Sequence, residues 1–146
     1  EEDGIVIACA SIHGNTKRAM LKFVEILKEK GAENVKFFDL SRDDMAEAIA
    51  EAYQYSKLVV ACPTYDGVLV PCMEDFLYHL KIKNFQNRKA AIVENGSWAP
   101  MSGKLMKAYL EGMKNITLVE PTVTIKSTMS EKNLEELNAL ADALLA

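Results

Sequence analysis

The chain has 146 residues, of which 49% are hydrophobic and 26% are charged, a composition that fits one soluble globular domain over residues 1–146. Its formal net charge of −4 argues against a nucleic-acid partner, and its apolar runs are too short to cross a membrane. No signal peptide is visible and the three cysteines form no C-x-x-C pair, so we expect free, mainly buried thiols in a reducing cytoplasm.

Strand-length apolar runs alternate with amphipathic helical stretches along the whole chain. The predicted strands cover 4–9, 35–39, 57–62, 89–94 and part of 116–126. Runs within the first, third and fourth of these are apolar without alternation, as expected for parallel strands that are covered on both faces. Because Pro121 lies in the last region, we expect that strand to be an edge strand, interrupted or kinked there. Five such units predict an α/β fold, doubly wound in three layers.

The segments between the strands carry apolar residues at helical spacing. The first helix is predicted to end at Gly31, Ser41 with Asp43 and Asp44 to open the second, and Ser130 to cap the last. The positions assigned to the core are Met20, Phe23, Val24, Leu27, Met45, Ala48, Ile49, Ala52, Met73, Phe76, Leu77, Leu80, Met101, Leu105, Tyr109, Met113, Leu134, Leu137, Ala141 and Leu144.

A short polar loop, Ser11-Ile12-His13-Gly14-Asn15-Thr16, separates the first predicted strand from the first predicted helix. A helix N-terminus has unpaired N–H donors and a partial positive charge, so this loop suits a phosphate. It is neither a Walker A motif nor G-x-G-x-x-G. We expect the side chains of Ser11, His13, Asn15 and Thr16 and the N–H groups of 12–16 to hold the phosphate, with Lys17 and Arg18 pointing to solvent. The alternative is an ordinary turn capped by Asn15 or Thr16.

Two further loops follow the third and fourth predicted strands, Pro63-Thr64-Tyr65-Asp66-Gly67 and Asn95-Gly96-Ser97-Trp98-Ala99-Pro100. Ligands of doubly wound sheets bind at the carboxyl ends of strands, where the winding reverses. Tyr65 and Trp98 are expected at loop tips, where a flat ligand would cover them, unless they pack only on neighbouring loops. A phosphate loop beside two aromatic loops predicts flavin mononucleotide (FMN), with the backbone of 64–67 and 95–98 at the polar edge of its ring.

The phosphate loop resembles the Thr/Ser-x-x-Gly-Asn/Ser-Thr loop of flavodoxins. Segments 63–66, 71–77, 83–88, 94–100 and 111–115 are similar to the flavodoxin domain of flavodiiron proteins (A-type flavoproteins), and the likeness covers nearly the whole chain. It implies a flavodoxin-like three-layer sandwich with a five-stranded parallel sheet in the order 2-1-3-4-5. Asp66 departs from the pattern, because relatives often carry Asn there.

The resemblance also implies a function, that of an FMN-binding electron-transfer domain within an oxidoreductase. In that family the domain receives electrons from rubredoxin or a similar donor. It passes them to a di-iron centre on a metallo-β-lactamase-like domain, which reduces oxygen or nitric oxide. The present chain has only His13 and His79 and no H-x-E-x-D-H run. We therefore expect the di-iron domain elsewhere in the same polypeptide or in a neighbouring subunit, and a homo-oligomer is compatible with this arrangement.

Other proteins of similar architecture require different residues in this loop. A response-regulator receiver would need an acidic pair after the first strand, and a low-molecular-weight phosphatase using Cys9 would need arginine in place of Asn15. A free-standing flavodoxin and a flavin-dependent quinone or azo reductase stay open. The start at Glu1 instead of Met favours a piece of a longer polypeptide over the free-standing form.

Overall fold

The computed structural model describes residues 2–12, 14–65, 68–96, 101–126 and 128–146, and for Tyr65 it describes the backbone alone. Within these ranges one sheet lies between two helical layers. The strands are β1 (Glu2–Cys9), β2 (Val35–Asp39), β3 (Tyr55–Tyr65), β4 (Val68–Leu69), β5 (Arg88–Asn95), β6 (Ile116–Leu118) and β7 (Val123–Ile125). The helices are α1 (Asn15–Glu29), α2 (Met45–Gln54), α3 (Pro71–Ile82), α4 (Ser102–Glu111) and α5 (Glu131–Leu145).

The sheet runs β2-β1-β3-β5-β6 with every pair on this path parallel, so the predicted doubly wound arrangement is confirmed. The five predicted strand regions lie along this path in the predicted order 2-1-3-4-5, because β5 is the fourth region and β6 begins the fifth. The predicted count of five strands is wrong, because the described residues form seven. The two-residue strand β4 folds back antiparallel on β3, and it is too short to show a periodicity. The fifth predicted strand is two pieces, β6 and β7, which both pair with β5.

The break between β6 and β7 contains Pro121, which follows a cis peptide bond from Glu120. Proline has no N–H to donate to a strand ladder, so the pairing with β5 stops after Leu118 and resumes at Val123. The predicted interruption at Pro121 is therefore confirmed.

The two faces of the sheet carry separate apolar clusters. Ile5, Ile7 and Cys9 face the cluster that includes α1 and α5, whereas Val6 and Ala8 face the cluster that includes α2, α3 and α4. Helices on both faces explain why the middles of the central strands, at 5–8, 58–62 and 90–93, are apolar without alternation. None of the described helices is long and apolar enough to span a membrane.

Two predicted helix starts are confirmed in detail. The Asp44 carboxylate accepts the Ala46 N–H at the start of α2, and Ser130 forms a reciprocal capping box with Asn133 at the start of α5. One core assignment is wrong: Met101 is 37% exposed, because it precedes the first turn of α4 and lies outside the buried face of that helix.

The cysteines are free within the fold, as expected. Cys9 and Cys62 are fully buried. Burial, with a smaller contribution from Asp39, raises the pKa of the Cys9 thiol, and burial raises the pKa of Cys62 to about 12. Cys72 is half-buried, and its burial also raises its pKa. These thiols are therefore packing residues and poor nucleophiles.

Candidate functional site

The three loops predicted from the sequence leave the same edge of the sheet. Ala10, just past β1, donates its N–H to the Ala61 carbonyl on β3 at 2.9 Å. Pro63 on β3 lies opposite Asn95 on β5, and the Gly96 N–H reaches the Ile125 carbonyl on β7 at 2.9 Å. The chain continues from β1 to β2 on one side and from β3 to β5 on the other, so the topological switch point of the sheet lies between β1 and β3.

The N-terminus of α1 is open to an anion. Its N-cap residue is Gly14, which has a left-handed φ of 83° and no side chain that could cap the N–H groups of the first turn. The first turn contains no acidic residue. Ser11 Oγ accepts the Gly14 N–H at 3.0 Å, and its own proton remains available to a ligand. Asn15 and Thr16 lie inside the helix, so the alternative of a turn capped by either of them is not observed.

Thr16 is a polar residue with 2% exposure, and its hydroxyl oxygen is not among the buried unpaired atoms of the described residues, so it is accessible at the start of α1. A hydroxyl in the first turn of a helix can donate to an anion bound there, so this group is a candidate for a ligand contact. Asn15 accepts a hydrogen bond from the Arg18 guanidinium through its side-chain oxygen. The amide N–H₂ of Asn15 remains a donor.

The expectation that Lys17 and Arg18 both point to solvent is wrong. Lys17 Nζ lies 3.4 Å from a carboxylate oxygen of Asp39, which ends β2 and is itself buried. Arg18 is exposed, but it bends back to Asn15, and a β-carbon placed on Gly14 would lie 3.1 Å from its Nη1 atom. The loop thus has one cation beside it that the sequence pattern did not reveal.

The Thr64 side chain caps the start of α4. Its Oγ1 accepts the N–H groups of Met101 at 2.8 Å and Ser102 at 3.1 Å. Ser102 in turn donates its hydroxyl to the Cys62 carbonyl at 2.8 Å. Thr64 Oγ1 is the acceptor in both of its bonds, so its proton and its backbone remain available to a ligand. The expected role of the 64–67 backbone stays a prediction.

Glu94 makes two further hydrogen bonds beside the site that the sequence did not predict. One carboxylate oxygen accepts the Gly103 N–H at 2.9 Å, and the other accepts the Thr124 hydroxyl at 2.6 Å. The only hint in the sequence is an acidic residue at the end of an apolar strand. Its partners lie on α4 and β7, so they are known only once the strand register is known.

The structure describes some of the remaining predicted site residues and not others. Pro63 and Gly96 are half-buried, Asn95 is 6% exposed and Ile12 is 44% exposed. His13, Asp66, Gly67, Ser97 and Trp98 lie outside the described residues, as does the side chain of Tyr65. Across the described residues, no group of three or more His, Cys, Asp and Glu side chains could hold a metal ion.

Comparison with known structures defines the class of fold. The rubredoxin oxygen:oxidoreductase from the anaerobe Desulfovibrio gigas matches 98% of this chain with a TM-score of 0.91 and 19% identity. Flavodoxin 1 from Bacillus cereus matches 98% with a TM-score of 0.85 and 16% identity. The flavodiiron protein from Giardia intestinalis matches 96% with a TM-score of 0.84 and 22% identity. The fold is therefore flavodoxin-like.

The matched proteins differ in length. This chain spans 36% of the Desulfovibrio protein and 35% of the Giardia protein, whereas it spans 97% of the Bacillus flavodoxin. No protein-family model matches the sequence, and no curated protein matches it.

Proposed function

We propose that this chain is an FMN-binding electron-transfer domain. The observation that carries the proposal is the N-terminus of α1 at the switch point between β1 and β3, where no side-chain cap is found among the described residues and the Thr16 hydroxyl lies in the first turn. A phosphate fits this donor set, because backbone N–H groups, hydroxyls and an amide can all donate to it and the helix dipole favours its charge.

The phosphate would be held by Ser11, Asn15, Thr16 and the N–H groups of 12–16, together with His13. Arg18 adds a positive charge beside Gly14, which offsets part of the dianion. Gly14 has a φ of 83° and no side chain that could obstruct the anion.

The flavin ring would lie between the loops after β3 and β5. Tyr65 and Trp98 would border it, and the backbone of 64–67 and 95–98, including Asp66, Gly67, Asn95, Gly96 and Ser97, would meet its polar edge. FMN supplies the one-electron chemistry, while the chain binds and orients the ring and limits its contact with water. The open ends of these loops at one edge support this placement.

We further propose that the domain is the electron-delivery half of a flavodiiron protein. The Desulfovibrio and Giardia proteins are each almost three times the length of this chain, and the first is named for rubredoxin and oxygen. A free-standing flavodoxin is the second candidate, because this chain also spans 97% of the Bacillus flavodoxin.

A partner protein could dock beside the site. Ile12, Val68 and Met101 are 44%, 50% and 37% exposed, and each adjoins one of the three loops. Exposed apolar residues at one edge of an acidic protein favour a short-lived complex with a donor of rubredoxin type.

The test is reduction of the FMN-loaded chain by a rubredoxin-type donor, followed by stopped-flow absorbance across ionic strength. With a donor whose docking face is basic, the rate should fall as salt rises, because its attraction to this acidic chain is screened beyond roughly 10 Å at 0.1 M salt. A rate that does not change with salt would remove charge-steered docking. Nitric oxide turnover at enzymatic rates by this chain alone would contradict the assignment as an electron-delivery half.

A further inference from the structure

An open groove lies beside the hairpin that β3 and β4 form. It has a volume of about 390 Å³ and is lined by β4, one side of α3 and one residue of α4. Its walls include Val68, Pro71, Tyr78 of α3 and Tyr109 of α4. Because Val68 pairs with Tyr65 at the end of β3, the groove adjoins the loop that follows this strand.

The groove exposes apolar surface that the core does not cover. Val68 is 50% exposed and Tyr78 is 51% exposed. On α3, Pro71, Glu74 and Tyr78 follow one another at helical spacing and are all exposed, so they share the side of the helix that faces away from the core. Exposed apolar side chains that lie together are typical of an interaction surface, whereas single ones are common everywhere.

Two carboxylates lie beside these aromatic rings. Glu74 and Asp75 line the groove and are exposed, and neither forms an ion pair within the described part of the chain. Burial and the neighbouring Glu74 carboxylate raise the pKa of Tyr109, which shows that Glu74 lies next to this hydroxyl. The groove therefore combines negative charge with aromatic surface, and none of the described residues that line it is a cation.

Arginine is the side chain that matches both features. Its planar guanidinium can bind carboxylates through two parallel hydrogen bonds and can stack on aromatic faces, while its stem covers apolar surface. Lysine supplies the charge without the planar fork. The groove is open to solvent, whereas sites for small molecules bury most of the ligand, so it suits a side chain that a docked protein presents.

We propose that this groove docks a partner protein by receiving an arginine side chain, which lies along Tyr78 and Tyr109 and pairs its guanidinium with Glu74 and Asp75. The inference rests on the proposed function for the role of that partner, an electron donor or acceptor that must approach the loop after β3. Binding of the arginine itself needs no flavin. The complex is short-lived, because ion pairs and cation–π contacts are weak where water reaches them.

The experiment titrates the isotope-labelled full chain, without flavin, with the peptide acetyl-Leu-Arg-Leu-amide and follows the backbone amide shifts by NMR. The shifts should centre on Val68, Asp75, Tyr78 and Tyr109 and should saturate in the millimolar range. A citrulline peptide has the same shape without the charge, and it should bind about tenfold more weakly. A lysine peptide should have an intermediate affinity, because it keeps the charge and lacks the fork.

Two variants and a matched control locate the site. Glu74→Gln/Asp75→Asn should reduce the affinity for the arginine peptide to that for the citrulline peptide. Tyr78→Leu keeps an apolar side chain and removes the ring, so it should bind about two- to fivefold more weakly. The control Glu29→Gln/Glu135→Gln removes the same charge from exposed positions of α1 and α5, which pack on the other face of the sheet, and it should match wild type.

The proposal is overturned if the citrulline or the lysine peptide binds as tightly as the arginine peptide, or if the control loses as much affinity as Glu74→Gln/Asp75→Asn. Sedimentation at several protein concentrations tests a second occupant. A dimer that forms in wild type and is lost in Glu74→Gln/Asp75→Asn would assign the groove to a second copy of this chain and would also overturn the proposal. If wild type binds no FMN, the proposed function fails, while the peptide titration still decides whether the groove receives an arginine.

Discussion

Replacing Thr16 with valine should leave the stability of the apo protein nearly unchanged and weaken its affinity for FMN. Thr16 is 2% exposed, but its hydroxyl oxygen is not among the buried unpaired atoms of the described residues, so water can reach it in the apo protein. Valine has the same shape and a similar helix propensity. The free energy of unfolding of Thr16→Val should therefore lie within about 0.5 kcal/mol of that of wild type.

The affinity of Thr16→Val for FMN should fall because the variant lacks a hydroxyl that can donate to the phosphate. If the hydroxyl donates to the phosphate, its loss removes a hydrogen bond to a charged group, worth on the order of 1.5–3 kcal/mol or roughly 10- to 150-fold in the dissociation constant. Riboflavin has no phosphate, so its affinity should change little. Isothermal titration with both ligands and urea unfolding of the apo protein measure the three quantities.

Thr117→Val is the matched control, because Thr117 is exposed on β6. It should leave both ligand affinities unchanged. Equal losses of FMN and riboflavin in Thr16→Val would show that the hydroxyl does not face the phosphate. A loss of apo stability greater than about 1 kcal/mol would show that the hydroxyl is already hydrogen-bonded in the apo protein.

Two further predictions concern the ring and the buried thiols. Trp98→Ala should weaken the binding of FMN and of riboflavin by the same factor. The loss of binding free energy should exceed that from the lost apolar contact by about 0.5–1.5 kcal/mol, the contribution of aromatic stacking. A loss for FMN alone in these titrations would contradict contact between Trp98 and the ring. Burial raises the pKa of Cys62 to about 12, so the folded state keeps a proton that the unfolded chain releases. The stability from this thiol is complete below the unfolded pKa and is lost as pH rises from there toward 12. Urea unfolding should show about 1.5 kcal/mol less stability at roughly pH 10 than at pH 8.5 for each such thiol. Cys62→Ala should reduce that difference, and an equal difference in the variant would contradict the assignment.

The features predicted correctly from the sequence depend on residues close together in the chain. The polar loop before α1 is recognisable because Ser11, Gly14 and Thr16 follow an apolar strand at short spacing, and Ser130 is recognisable as a cap by the same kind of local pattern. The interruption at Pro121 follows from the chemistry of one residue. The alternation of strands and helices then fixes which loops share an edge.

The contacts that were missed join residues far apart in the chain. The Lys17–Asp39 ion pair joins the start of α1 to the end of β2, and the Glu94–Thr124 hydrogen bond joins two strands that are neighbours only in the folded sheet. Which charged side chains meet depends on the strand register, which periodicity does not give. The cap that the Thr64 hydroxyl provides to the start of α4 was missed for the same reason.

The most direct test of the proposed function is titration of the purified apo protein with FMN, riboflavin, FAD and NAD. The account predicts one non-covalent FMN per chain, a yellow complex that releases FMN on acid treatment, and weaker binding of riboflavin, which lacks the phosphate. FAD and NAD should bind poorly, because the loops offer a site for one phosphate. No binding of FMN after reconstitution, or tighter binding of FAD, would contradict the account.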